Sequence, residues 1–107
     1  MDDRKGDAMA IETLSEALQR LTAAGYTDDY RAERRGLRSR SNGSVHPPEK
    51  FRITDVVRFE GESDPSDESA IFALTLVSDG SKGTYTVAFG PMMDSQDADV
   101  VGRLRAG

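Results

Sequence analysis

The sequence contains no cysteine and no tryptophan, and His46 is its only histidine. Disulfides and thiolate metal sites are therefore excluded, as is a metal site built on two imidazoles. No uninterrupted apolar run approaches the roughly 20 residues that a membrane-spanning helix needs. Residues 1–7 also lack the apolar core of a secretory signal. These absences favour a cytoplasmic protein that does not associate with a membrane, and nothing in the composition calls for a cofactor.

The charge is distributed in two adjacent blocks of opposite sign. The net charge of the 107 residues is -5. Residues 31–52 contain seven basic and two acidic residues, whereas residues 55–68 contain six acidic residues and one basic residue. Such blocks attract each other within one molecule or between two copies. A homodimer is the one partner arrangement that this pattern suggests.

Apolar residues at helical spacing predict an amphipathic helix that starts between residues 8 and 13 and ends near residue 24. The stripe consists of Ile11, Leu14, Leu18 and Leu21. Thr13 and Glu16 have the spacing of a capping box, and Gly25 fits a left-handed stop. We predict a disordered segment over residues 1–9, followed by a single domain over residues 10–107.

The period then changes to two, which predicts strands. Alternating or apolar segments cover residues 26–32, 52–60, 70–77 and 84–89, with a short further candidate at 37–41. The segment 70–77 is apolar on both faces, as a central strand between two layers is. A second helix follows Ser95, a fitting N-cap, and carries Val100, Val101 and Leu104 on one side.

The order of these elements predicts an α+β fold, because strands and helices do not alternate. We expect an antiparallel sheet of about four strands with the N- and C-terminal helices packed on one face. The stripe of the first helix needs an apolar partner layer. Leu18 and Leu21 are accordingly expected to pack against side chains of the central strand, namely Ile71, Phe72, Leu74 or Leu76.

Several short stretches resemble a small uncharacterised bacterial protein family that often carries the label phosphoribosylpyrophosphate synthetase. The similar stretches cover roughly residues 13–90: Leu14-Ser15-Glu16-Ala17-Leu18, Gly25-Tyr26-Thr27-Asp28-Asp29-Tyr30, Arg58-Phe59-Glu60-Gly61, Ser63-Asp64-Pro65, Asp67-Glu68-Ser69, Ile71-Phe72-Ala73, Asp79-Gly80, Lys82-Gly83-Thr84 and Ala88-Phe89-Gly90. The resemblance implies one small domain of about one hundred residues. Synthetase activity is not expected, since that chemistry needs a larger parallel α/β scaffold with nucleotide, sugar phosphate and metal sites.

One loop offers a candidate anion site. It consists of Asp79, Gly80, Ser81, Lys82, Gly83 and Thr84, and it follows an apolar strand as a phosphoribosyl-diphosphate loop does. The usual pair of adjacent acids is missing, because Asp79 stands alone, and no helix pattern follows. The spacing also differs from that of a P-loop. We favour a plain hairpin turn, in which Asp-Gly supplies the positive φ.

Two charged segments provide weaker candidates. Clustered carboxylates suit hard cations, and the possible ligands are Glu60, Glu62, Asp64 and Asp67, although a solvated loop is the favoured interpretation. The basic segment contributes anion-site candidates at Arg35, Arg38 and Arg40, because guanidinium groups suit phosphate. The acidic chain and the scarcity of nearby aromatics disfavour nucleic acid as a partner, and protection of a sheet edge is the preferred role.

These observations support two functional hypotheses. The first, which we prefer, is a non-enzymatic binding or regulatory module. The second is an anion- or phosphate-binding protein, or a weak enzyme acting on a phosphorylated small molecule through the loop at residues 79–84. No residue is assigned a catalytic role.

Overall fold

A computed structural model describes residues 12–59, 69–89 and 93–106 of the chain. Within these ranges the elements are α1 (Leu14–Ala23), β1 (Asp28–Glu33), β2 (Gly36–Ser39), β3 (Val45–His46), a 3₁₀ turn (Pro48–Lys50), β4 (Phe51–Phe59), β5 (Ser69–Leu76), β6 (Lys82–Ala88) and α2 (Ser95–Ala106). The segment 1–9, for which disorder is predicted, lies outside the described residues.

The predicted capping box at the start of α1 is confirmed. The backbone N–H of Glu16 donates to Oγ1 of Thr13 at 3.1 Å, and the Glu16 carboxylate accepts from the Thr13 N–H at 2.8 Å. Gly25, with a φ of +108°, follows the helix as predicted. These local signals fix α1 at both ends, so its apolar side is presented to the sheet.

The sheet is mixed and has six strands in the order β3-β2-β1-β6-β5-β4. Every neighbouring pair is antiparallel except β1 and β6, which run parallel. The expectation of about four strands, all antiparallel, is therefore wrong in number and in one pairing. Strands β2 and β3 are too short to show a clear alternation of apolar and polar residues. The sequence also lacks the βαβ alternation that would predict a parallel pair.

The two helices pack on opposite faces of the sheet, which corrects the expectation that they share one. Successive residues of β5 point to opposite faces. Ile71 and Ala73 form a cluster with Ala17 and Leu21 of α1. The alternate β5 residues belong to the cluster that includes α2, whose buried members are Tyr30, Leu37, Phe51, Ala70, Phe72, Leu74, Leu76, Tyr85, Val87, Val100, Val101 and Leu104.

The expected packing of α1 is confirmed in part. Leu21 is 2% exposed and contacts the cluster of Ile71, whereas Leu18 is half-buried beside it. Phe72, Leu74 and Leu76 face the other helix, so they are not partners of α1. A strand that is apolar on both faces supplies two cores, one for each helix.

The helix α1 covers only part of its face of the sheet. Its cluster lies over β4 and β5, and its remaining side approaches β6. On the same face of β1 and β2 the side chains are charged, and these are Asp29, Arg31, Glu33, Arg38 and Arg40. Neither helix in the described ranges is long and apolar enough to cross a membrane.

Candidate binding cleft between β1 and β6

The parallel pairing of β1 and β6 is short. It joins Asp28 to Gly83 and Asp29 to Thr84, and it ends there although each strand continues for four more residues. Beyond this point a cleft of about 720 Å³ opens between Tyr30, Arg31 and Ala32 on one side and Thr84, Tyr85 and Thr86 on the other. We call it the β1–β6 cleft. Its volume is typical of a small-molecule or peptide site.

Backbone groups of both strands are directed into the cleft. Successive residues of a strand point their N–H and C=O groups to opposite sides. The carbonyl of Asp29 accepts from Arg40 on the β2 side, so Tyr30 and Ala32 point towards β6. By the same alternation, the parallel register directs Thr84 and Thr86 of β6 towards β1. The backbone groups of Ala32 and Thr86 therefore point into the cleft, away from the ladders with β2 and β5, and the pairing between the described parts of β1 and β6 does not include them.

The two strands are held in contact at the closed end of the cleft by Gly83. A Cβ atom at this position would lie 2.6 Å from the carbonyl oxygen of Asp28 and 2.7 Å from Cε2 of Tyr30. Both approaches are shorter than real Cβ contacts allow. Glycine is thus required for the ring of Tyr30 to cross β6 and pack edge-on against Phe51, with ring centroids 5.0 Å apart.

A buried tyrosine and a carboxylate lie at the far side of the cleft. The hydroxyl of Tyr85, which is 1% exposed, donates to Oδ1 of Asp97 at 2.5 Å. Burial raises the pKa of Tyr85, and the hydrogen bond and negative charge of Asp97 raise it further. Asp97 comes from the first turn of α2 and is half-buried, and it also lines the cleft.

The opposite wall of the cleft belongs to α1, which contributes Leu14, Leu18 and Thr22. Leu14 and Leu18 lie one turn apart on the helix and both line the cleft. Leu14 is 38% exposed, although it continues the stripe that Ala17 and Leu21 bury in the core. The apolar side of α1 is therefore wider than the sheet surface that it covers, and the excess faces the cleft.

Asp28 stabilises the chain reversal beside the cleft. Its carboxylate accepts from the hydroxyls of Ser39 and Ser41 and from the N–H groups of Ser41 and Asp29. Burial works to raise the pKa of Asp28, but these hydrogen bonds outweigh it and the pKa is lowered. Asp28 is therefore held as a carboxylate with its acceptor capacity already used.

The loop predicted as an anion site forms the β5–β6 hairpin turn. Gly80 has a φ of +76°, and its N–H donates to the carbonyl of Leu76. The N–H of Ser81 donates to Oδ1 of Asp79 at 2.9 Å, and this bond lowers the pKa of Asp79. Two amides of the loop, those of Gly80 and Ser81, are therefore engaged within the turn. Anion binding there stays a prediction.

The rest of this loop leads into β6. Lys82 is exposed, and its Nζ lies 5.3 Å from the centroid of the Tyr26 ring, a cation–π contact. Gly83 and Thr84 are buried at the pairing with β1. Thr84 therefore belongs both to the candidate loop and to the lining of the β1–β6 cleft.

The candidate arginines lie on β2 and in the turns that flank it. Arg38 pairs with Glu33 at 2.5 Å and donates to the carbonyl of Gly43, whereas Arg40 lies 3.8 Å from Asp29. Arg35 is exposed in the turn between β1 and β2. Since Arg38 and Arg40 each have an acidic neighbour, the segment is not an uncompensated cationic strip.

The metal candidates Glu60, Glu62, Asp64 and Asp67 lie outside the described residues. Within residues 12–59, 69–89 and 93–106 no group of three or more histidine, aspartate or glutamate residues is arranged to hold a metal ion. The hypothesis of a metal site in the acidic segment stays a prediction.

Little in the sequence predicts the β1–β6 cleft. Its two strands meet across 55 positions of sequence, from Asp28 to Gly83, and no motif marks such a pairing. One weak signal was the alternation of Thr84 and Thr86 with apolar residues, which predicts a polar face on β6. Comparison of the chain with protein-family models, with curated proteins and with solved structures finds no match.

Proposed function

We propose that this protein is a non-enzymatic binding module and that the β1–β6 cleft is its binding site. The observation that carries the proposal is the early end of the β1–β6 pairing, which leaves a cleft of about 720 Å³ with both polar and apolar lining between two neighbouring strands of the sheet. A gap within a sheet leaves backbone groups without ladder partners, which is a cost unless water or a ligand satisfies them.

The chemistry of the cleft supports binding rather than catalysis. Three carboxylates line it: Asp28 accepts four hydrogen bonds, Oδ1 of Asp97 accepts the hydroxyl of Tyr85, and Asp29 lies 3.8 Å from both Arg31 and Arg40. A general base works best when its pKa lies near the working pH. The pKa of Asp28 is instead lowered, away from neutrality. Recognition through hydroxyl, backbone and apolar contacts is the role that such groups perform.

A fragment screen by two-dimensional NMR tests the proposal. We expect compounds that bind to shift the amide signals of Ala32 and Thr86, because these residues line the cleft. Thr86→Phe should fill the cleft and abolish the shifts. Ala88→Phe is the matched control, since Ala88 is equally exposed two residues further along β6 and outside the cleft. Binding that maps elsewhere, or that survives Thr86→Phe, contradicts the proposal.

A cytoplasmic location and a homodimeric state are further parts of this proposal. The module would act by presenting the cleft to its ligand, and no step of bond making or breaking is involved. Transfer of diphosphate from ATP to ribose 5-phosphate is not expected, since the Asp79 loop is a hairpin turn in which the Gly80 and Ser81 amides are engaged. A metal-dependent transfer that Asp79→Ala abolishes would contradict this part.

A further inference from the structure

The walls of the β1–β6 cleft have the hydrogen-bonding pattern of two strand edges. Ala32 and Thr86 each direct a donor and an acceptor into the space between the strands, as derived above from the ladder registers. A small ligand would satisfy these groups one at a time. An extended peptide backbone satisfies both edges at once, because its own donors and acceptors alternate between its two sides.

The length of the open edges limits the size of such a segment. Beyond the pairing of Asp29 with Thr84, the walls consist of Tyr30, Arg31 and Ala32 on β1 and of Tyr85 and Thr86 on β6. Strand neighbours pair residue by residue, so the inserted segment is about three residues long. A short segment also agrees with a cleft that is closed at one end by the pairing of Asp29 with Thr84.

The two faces of the sheet impose different demands on the side chains of the segment. Alternate side chains of an inserted strand project to opposite faces. On the α1 face they meet Leu14 and Leu18 of the helix, beside the charged side chains of Asp29 and Arg31. On the α2 face they meet Asp97, whose carboxylate lines the same cleft.

Asp97 is prepared to accept a cation. Its Oδ1 is occupied by the Tyr85 hydroxyl, and Oδ2 remains to accept a further hydrogen bond. Across the described ranges no lysine or arginine forms an ion pair with Asp97, although the neighbouring Asp99 pairs with Arg103 at 3.4 Å. Partial burial strengthens a charge-assisted hydrogen bond to such a carboxylate.

We propose that the cleft binds an extended peptide segment with the pattern apolar–basic–apolar, inserted as a short strand between β1 and β6. Its central lysine or arginine reaches Asp97, and its flanking apolar side chains contact Leu14 and Leu18. This inference rests on the proposed function, since it names the ligand class of the same cleft.

The test uses the whole chain and a synthetic peptide, acetyl-Ser-Val-Lys-Val-Ser-amide, titrated while amide shifts are recorded. We expect saturable shifts at Ala32 and Thr86. Replacing the peptide lysine by glutamate should weaken binding at least about fivefold, as the loss of one partly buried ion pair would. Methylating the amide nitrogens of both valines should weaken it similarly, because the backbone donors are lost.

The variant Asp97→Asn assigns the basic side chain to its partner. Asparagine keeps an acceptor for the Tyr85 hydroxyl, so the fold is expected to persist, which the spectrum of the variant checks directly. The preference for lysine over norleucine in the peptide should then disappear. An equal preference in the variant and the wild type would overturn the role of Asp97 and with it the proposed pattern.

The outcomes separate this inference from the proposed function. Fragments that bind in the cleft while the peptide does not bind would overturn the peptide and leave the binding module standing. Peptide binding that ignores N-methylation would overturn strand insertion. If neither the fragments nor the peptide shift the amide signals of Ala32 and Thr86, both proposals are overturned.

Discussion

The hydroxyl of Tyr85 donates to the carboxylate of Asp97 at 2.5 Å and thereby ties the central part of β6 to the first turn of α2. Tyr85 is 1% exposed, and its ring stacks on Phe72 with centroids 6.0 Å apart. The hydrogen bond therefore connects the core of the sheet to the wall of the cleft. Its loss should affect both stability and the geometry of Asp97.

Tyr85→Phe should lower the free energy of unfolding by about 1–3 kcal/mol, because a partly buried carboxylate loses its donor. Urea denaturation measures this. Tyr26→Phe is the matched control, since the Tyr26 hydroxyl contacts Thr54 at 2.8 Å in an exposed position and should contribute much less. Equal losses of stability in the two variants would mean that the Tyr85–Asp97 hydrogen bond contributes no more than the exposed one.

Replacing glycine by alanine should have opposite effects on stability at two positions. Gly83→Ala should destabilise the protein by more than about 2 kcal/mol, because the new Cβ would meet backbone and ring atoms at 2.6–2.7 Å. Gly102→Ala should stabilise it by about 0.5–1 kcal/mol, since Gly102 lies in α2 with open space around its Cβ position. Thermal denaturation of both variants tests the pair, and a Gly83→Ala protein as stable as wild type would contradict the close approach of β1 and β6.

Two leucines of α1 should differ sharply on truncation. Leu21→Ala should cost about 2–5 kcal/mol, because Leu21 is 2% exposed in the cluster with Ile71 and Ala73. Leu14→Ala should change the free energy of unfolding by less than about 0.5 kcal/mol, because Leu14 is 38% exposed. It should weaken binding of the peptide, because Leu14 lines the cleft. Unfolding midpoints and peptide titrations on the same two variants provide the measurement. Similar stability losses at both sites would show that α1 is docked differently.

Stability should fall at alkaline pH in a way that depends on Tyr30. Burial raises the pKa of Tyr30 to about 12, and the charges of Asp28 and Asp79 contribute. A raised folded-state pKa gives stability that is complete below the unfolded value near 10 and is lost as pH rises towards 12. The hydroxyl is buried without a hydrogen-bond partner in the described part of the chain.

Urea midpoints between pH 8 and pH 11 test this dependence. The fall with pH should be shallower in Tyr30→Phe than in wild type, because one of the groups that must stay protonated is gone. At pH 8 the same substitution should be neutral or slightly stabilising, since it removes an unsatisfied hydroxyl. A pH profile identical to that of wild type would contradict the burial of the Tyr30 hydroxyl.

Any self-association should weaken as the salt concentration rises. Strand β2 carries part of the basic block and β4 begins the acidic one, but three strands separate them in the sheet. The basic residues of β2 therefore do not lie beside Asp55 of β4 as on neighbouring strands, and contact between two copies offers a further way for the blocks to meet. Exposed ion pairs contribute about 0–1 kcal/mol each, which steers association without sustaining it alone.

Sedimentation velocity at low and physiological salt tests the association. We expect the sedimentation coefficient to fall towards that of a monomer at higher salt and in the double variant Arg38→Glu/Arg40→Glu. Arg20→Glu serves as a control for charge reversal outside the basic block, since Arg20 lies on α1 and pairs with Glu12. A monomer under every condition, or a dimer that ignores salt and charge reversal, would mean that the blocks are solvated faces.

The sequence was sufficient for features that local chemistry determines. The capping box of Thr13 and Glu16, the stop at Gly25 and the Asp79-Gly80 hairpin turn were all predicted, because each depends on residues a few positions apart. The α+β class followed from the order of the elements.

The remaining features depend on contacts that leave no local pattern. The parallel pairing of Asp28 with Gly83 is such a contact, and it inserts β1 beside β6 and so produces the cleft. The opposite placement of the two helices is another. The apolar run in β5 indicates two covered faces, but it does not say which helix covers which face, and both helices were expected on the same one.

The parallel pairing also has a consequence for the order of folding. The β4–β5 and β5–β6 contacts join segments that are near in sequence, whereas Asp28 and Gly83 are 55 positions apart. Closing that long loop costs chain entropy, and only two residue pairs are formed to offset this cost. Docking of the β1–β2 hairpin onto β6 is therefore expected as a late step, governed by how quickly a distant hairpin finds the bare backbone at Gly83.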